Sequence, residues 1–164
     1  MSPFVITILA LSIGFVVATF AGHMLHWAIH QFWAGKLHTA HMTHHQILYP
    51  VNDFLSDEYR SPGKDNTVFT FLWFAIPFFV LPVVLFVFGV IPLIAMLLLI
   101  VELVVVGWMH DYFHDSFHIR DHFLKRFAYF RRLTDLHYVH HIDMRKNFGI
   151  FLFWWDRAFA SFQA

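Results

Sequence analysis

Residues 67–101 read TVFTFLWFAIPFFVLPVVLFVFGVIPLIAMLLLIV, 35 residues without a charged side chain. As one straight helix they would extend roughly 50 Å, well beyond the ~30 Å hydrocarbon core of a bilayer. A hairpin of two apolar helices resolves the excess. Its turn is expected at Phe88-Gly89-Val90-Ile91-Pro92, because glycine and proline punctuate helices and no other such pair sits near the midpoint. Pro77 and Pro82 fall within the descending helix, which they are expected to kink without ending. If the hairpin crosses twice, the segments before and after it lie on the same side of the membrane.

The composition agrees with a membrane location. Of the 164 residues, 59% are hydrophobic and 20% aromatic, and only 13% are charged, about half the charged share of a soluble domain. From Met1 to Gly35 there is no charged residue, and Pro3 to Gly22 alone matches the length of a membrane-crossing helix. A cleaved signal peptide is the competing reading, but the basic segment that opens one is missing. The apolar run Phe148 to Trp155 is too short to span and, with two tryptophans, reads as interfacial. All 11 lysines and arginines lie from Lys36 onward, and none falls between Asp65 and Ile119. They occupy the Lys36–Lys64 connection and the region after Arg120, which the positive-inside rule assigns to the cytoplasm. Formal net charge is zero with neutral histidine, so a nucleic-acid partner is not favoured. Cysteine is absent, so any metal must be held by nitrogen or oxygen.

The 14 histidines fall in two blocks on either side of the hairpin, residues 23–45 and 110–141. His26 and His30 form H-x-x-x-H, and His41, His44 and His45 form H-x-x-H-H; His110 and His114, then His137, His140 and His141, repeat both spacings in the same order. Residues three and four apart share a helix face, so each set can aim several imidazoles at one point. Two crossings bring both blocks to one membrane face. Ten such nitrogen ligands are too many for one metal ion and suit two. Imidazole accepts zinc, copper, iron or nickel, so ligand type alone does not name the metal, and zinc can fill the sites of a purified sample.

The boxes HWAIH (26–30), HMTHH (41–45), HDYFH (110–114) and HYVHH (137–141), with the ending NFGIFLFWWDRAFASF, resemble the fatty acid hydroxylase and sterol desaturase superfamily of integral membrane di-iron oxygenases. The resemblance covers nearly the whole chain. It implies two iron ions held by the ten boxed histidines, O2 as co-substrate, and insertion of oxygen into, or removal of hydrogens from, a lipid C–H bond. Oxygen chemistry on an alkyl chain needs a redox group that no side chain supplies. Nothing in the chain resembles a haem-binding, flavin or dinucleotide motif, so electrons are expected from a separate protein of ferredoxin or cytochrome b5 type.

Outside the boxes, His23, His38, His118 and His122 read as structural or interfacial residues, although His118 and His122 continue the four-residue ladder of His110 and His114 and suggest a substrate-side or proton-relay role. His38 also offers an alternative start to the first triplet. Glu102 interrupts an apolar helix and has two readings, a site-related carboxylate or a protonated acid bonded to another helix. It lies roughly 12 Å along the helix from His110, too far to be a ligand. Asp111, Asp115, Asp135 and Asp143 flank the boxes, where carboxylates can orient histidine ligands or simply pair with surface arginines.

The expected fold is all-α and integral to the membrane, one domain of three to four membrane-embedded helices under a cytoplasmic, histidine-lined cap that holds a di-metal centre. The expected function is hydroxylation of the hydrocarbon part of a membrane lipid, fatty acyl or sterol-like. A carotenoid ring hydroxylase and a lipid desaturase share the same metal motifs. A membrane metal-binding or transport protein would instead place histidines along a path through the bilayer, yet Phe4–Phe20 and Thr67–Val101 contain none.

Overall fold

The computed structural model describes residues 2–60 and 67–164, apart from the side chains of residues 3 and 67–75. The end of the expected Lys36–Lys64 connection lies outside the described residues. Among those described the chain is all-helical: α1 (Pro3–Ile29), α2 (Lys36–Thr43), α3 (Thr67–Val87), α4 (Leu93–Phe117), α5 (Ala128–Ile142) and α6 (Trp154–Ala158). The hairpin turn falls where glycine and proline place it. Helix α3 runs through Pro77 and Pro82 and ends at Val87, Gly89 takes a φ of 69°, and Pro92 leads into α4. That positive φ suits a residue without a Cβ.

The longest helix contact joins α1 to α4, and small residues explain it. On α1 every fourth residue from Ala10 is Ala10, Gly14, Ala18 and Gly22, followed by His26 and His30. The facing row of α4 is Glu102, Val106, His110 and His114. A Cβ added at Gly14 would lie 2.3 Å from Glu102 Oε2, and one at Gly22 would lie 3.2 Å from His110 Cδ2. An eight-residue step on α1 therefore matches an eight-residue step on α4, so the two helices run parallel and in register. Close approach through small side chains is how helices associate in lipid, where no hydrophobic force draws them together. Parallel packing brings both H-x-x-x-H pairs to the same end of the molecule.

Helices α1 and α4 are long and apolar enough to cross a membrane. Phe4, Ile8, Ile13, Val101, Val104 and Trp108 are exposed along them, an apolar surface in keeping with a membrane location. Helix α1 continues beyond the expected end at Gly22 to Ile29, so His26 and His30 still sit on a helical face. Helix α3 packs against α4 and α1 and is apolar over Ile76–Val87.

The cap is built from α2, α5 and two connecting segments. Phe117, Phe130, Leu133, Leu136, Ile150 and Phe153 form its buried core, each contributing about 1.5–3 kcal/mol relative to exposure. Residues 49–56 cross over the histidines, with the Ser56 amide donating to the His118 carbonyl (2.9 Å) and the Arg120 amide donating to that of Ser56 (2.8 Å). The C-terminal tail returns along α1. Trp155 Nε1 donates to Thr19 Oγ1 (3.2 Å) and its ring packs on Phe20, while Trp154 stays exposed. The tail thus lies against the apolar body of α1 as well as at the edge of the cap.

Candidate metal centre

The histidines converge in two groups. His26, His30, His41, His45 and His140 offer five ligand atoms within 4.8 Å of one another, and His44, His114, His118 and His137 offer four within the same limit. The helices explain the division. His26 and His30 lie one turn apart on α1 and both face the first group. His41 and His45 also share a face, but the intervening step to His44 points the other way, towards His114 and His118, whose rings are each 4.7 Å from it. Residues His44–Leu48 form a π-helical turn, a departure from regular α-helix that is frequent at functional sites. On α5, His140 faces the first group and His137 the second. Each triplet is therefore shared between two points, where spacing alone had each set aimed at one.

Two boxed histidines stand outside both groups. His141 lies between them, its ring 4.0 Å from that of His45 and 4.9 Å from those of His118 and His137. Its Nε2 is buried without a hydrogen-bond partner. His110 sits one turn nearer the apolar body, 6.2 Å ring to ring from His26, and both of its nitrogens are buried and unpartnered. His118 is the converse case. Read from sequence as peripheral, it is fully buried, with its Nε2 3.2 Å from that of His137. The ladder of α4 simply continues one turn, to the residue that ends the helix.

Hydrogen bonds fix which nitrogen each ring presents. Nδ1–H of His26 donates to the Phe148 carbonyl (2.8 Å), of His118 to that of Phe54 (3.0 Å), of His140 to that of Lys146 (2.6 Å) and of His141 to that of Tyr49 (2.9 Å). A ring that donates from Nδ1 presents Nε2 as a lone pair, the orientation that metal-bound histidines adopt. The Nε2 atoms of His26, His44 and His114 are buried and unpartnered. Those of His30 and His140 approach to 3.0 Å, of His30 and His41 to 2.9 Å, and of His41 and His45 to 3.0 Å. Ligand nitrogens about 2.0–2.1 Å from one ion sit about 2.9–3.4 Å apart, so the first group already has the spacing of a coordination shell.

Electrostatics favours the same state. Burial, then the neighbouring imidazoles, hold His41, His44, His45 and His137 well below the ordinary histidine range. Burial and His38 lower His30 to about 4, and burial and His114 lower His141 to about 3 against a smaller opposing bond to Tyr49. At neutral pH these rings are uncharged and free to bind a cation.

Of the remaining sequence candidates, Asp115 touches the cluster, its Oδ1 3.4 Å from His114 Nδ1; the others lie at its edge or apart from it. His38 Nδ1 donates to the Ile29 carbonyl (3.1 Å). His122 caps the turn after α4, its Nδ1 accepting from the Leu124 amide. Asp143 bonds Arg145, and exposed Asp111 lies 3.7 Å from His110 Nδ1. Glu102 faces Gly14 with Oε2 buried and unpartnered, so no bond from it to another helix is present among the described residues.

Sequence reading took His23 as structural or interfacial and gave Asp156 no role of its own. Asp156 is fully buried and accepts from the amides of Phe148 (2.7 Å) and Gly149 (2.8 Å) and from Ser161 Oγ (2.8 Å), with His23 Nδ1 at 3.6 Å. Burial pushes its carboxyl up, and His23, Ser161 and the Gly149 amide outweigh that, leaving it below the ordinary carboxylate range. The W-D-R ending was the signal for it.

A family model described as fatty acid hydroxylase matches residues 11–161. This chain belongs to the fatty acid hydroxylase family. No curated protein and no solved structure matches it significantly. The family makes the protein a lipid-modifying oxidoreductase of the membrane, and the two histidine groups of this hydroxylase-family chain can hold metal ions. An apolar cavity of about 180 Å³ lies between α1, α3, α4 and the tail, lined by Ala18, Gly22, Phe78, Leu103 and Phe151 and reaching His110. A larger open basin of about 1030 Å³ lies on the cap side, with His30 and His38 in its wall.

Proposed function

We propose that this protein is an O2-dependent hydroxylase acting on the hydrocarbon part of a membrane lipid, with two iron ions as its cofactor. The observation that carries the reading is the pair of all-imidazole groups beside an apolar cavity that runs between the membrane helices to His110, whose ring lies 6.2 Å from that of His26. His26, His30, His41, His45 and His140 would hold one ion, and His44, His114, His118 and His137 the other. His141 is within reach of both and His110 lies at the cavity end. When bound, the iron pair supplies the O2-activating redox chemistry that no side chain can.

The chain's own residues do the rest. Backbone carbonyls of Phe54, Lys146 and Phe148 fix the ring tautomers. Phe78, Leu103 and Phe151 exclude water and accept an alkyl segment. Overall, one oxygen atom enters the C–H bond and the other leaves as water, consuming two electrons and two protons. The electrons come from a separate donor of ferredoxin or cytochrome b5 type. The charge distribution supports a cytoplasmic location for the cap, on the side where such donors operate.

Lipid mass spectrometry of cells with and without the gene, in hosts supplied with a reductase system, tests this reading. A lipid that gains one oxygen atom only when the gene and O2 are present is the expected result. A product that only loses two hydrogens would make the protein a desaturase, and products confined to a carotenoid-producing host would make it a ring hydroxylase.

A further inference from the structure

Two separate stretches of backbone hold the rings of the two histidine groups. In the first group, the loop 146–149 supplies both acceptors, the Lys146 carbonyl for His140 and the Phe148 carbonyl for His26. In the second, the acceptor for His118 comes from Phe54, on the segment before α3. The 146–149 loop is itself held from below. Both oxygens of Asp156 accept amide protons from its Phe148–Gly149 end. Asn147, at φ 53°, donates from Nδ2 to the Leu136 and Gln163 carbonyls and accepts from the Gln163 amide. Gly149 has no room for a side chain, since a Cβ there would lie 2.2 Å from the Leu152 carbonyl oxygen and 2.8 Å from Asp156 Oδ2.

We propose that Asp156 is a positioning residue for one metal site only, the site built on His26, His30, His41, His45 and His140, and that it acts through the 146–149 loop. The proposal rests on the two-metal reading above. An ionised carboxylate accepts from both amides and from Ser161 at once. An asparagine in its place would turn an NH2 group towards one of those donors, and one end of the loop would move. His26 would then lose the Phe148 acceptor that holds its Nδ1–H, while the Lys146 acceptor of His140, at the end anchored by Asn147, and the Phe54 acceptor of His118 would be far less disturbed. Loss of such outer support typically lowers metal affinity about 10–100-fold.

The test is a chelator titration of the full-length protein in detergent, loaded with iron(II), comparing the natural chain with Asp156→Asn. The natural protein should hold two ions, and the variant should release one of them at about 10–100-fold lower chelator concentration. Mössbauer spectra of iron-57-loaded protein should show one site altered and the other unchanged. Combining Asp156→Asn with His140→Ala should leave the count at one, as with His140→Ala alone, whereas combining it with His137→Ala should leave none tightly held. Ser161→Ala, which removes a single donor, should weaken the same site to a smaller degree and serves if Asp156→Asn does not fold. Equal weakening of both ions, or no weakening of either, overturns the proposal. A natural protein that holds one ion or none overturns the two-metal reading itself.

Discussion

Acidification of the metal-free protein tests the electrostatics of the site most directly. In the folded chain His30 titrates at about 4 and His141 at about 3, against about 6.5 for an unfolded histidine. Below pH 6.5 the unfolded chain therefore takes up protons that the folded chain refuses. Stability is full above that value, falls as pH drops from 6.5 towards 4, and levels off for His30 below it. At pH 5 this linkage costs about 2 kcal/mol for His30 and about the same for His141. With about 2–4 °C per kcal/mol for a chain of this size, the pair lowers Tm by about 8–16 °C between pH 8 and pH 5. Thermal melts followed by tryptophan fluorescence in detergent measure it; His41, His44, His45 and His137, also held well below the ordinary range, add to the fall, and His30→Ala is expected to remove about 2 kcal/mol of it at pH 5. Bound metal occupies the same lone pairs, so the loaded protein should hold its Tm until the metal leaves and then fall steeply. A metal-free Tm that moves by less than about 2 °C over that range would refute the claim that these rings are buried and neutral.

Alanine at His44, His118 or His140 should abolish oxygenation and remove metal, while alanine at His122, which caps a turn and bonds Ser116 and Tyr112 away from both groups, should leave most of both; equal loss at all four would mean that the two groups are wrongly bounded. Single cysteines in this cysteine-free chain should react with an impermeant thiol reagent from opposite sides of the membrane at positions 36 and 90, and labelling of both from one side would exclude a cap opposite the hairpin turn. Gly14→Leu should weaken α1–α4 packing by about 1–3 kcal/mol, because its side chain would meet Glu102 and Leu99; thermal stability reads this, and an unchanged Tm would show that the helices are not in that contact.

The H-x-x-x-H and H-x-x-H-H spacings and the uncharged run with its Gly89–Pro92 break were local features, set by helical periodicity and by backbone preference. They made the helical class, the turn and the two histidine blocks legible from the chain alone. The register of α1 against α4 was also written there, in the Ala10–Gly14–Ala18–Gly22 row, but it acquires meaning only once a partner helix is known. The division of the imidazoles was not legible. His44 and His45 are neighbours in sequence yet face different groups, and His137 and His140 share a helix yet do the same, because the direction of a ring depends on where its helix lies among the others. His118 joined the centre and His110 stood back from it for the same reason: the height at which α4 passes α5 and residues 49–56 is decided by packing. Asp156 is the furthest case. The W-D-R ending marks the carboxylate as part of the family pattern, but its role exists only because the tail folds back to place Phe148 over His26.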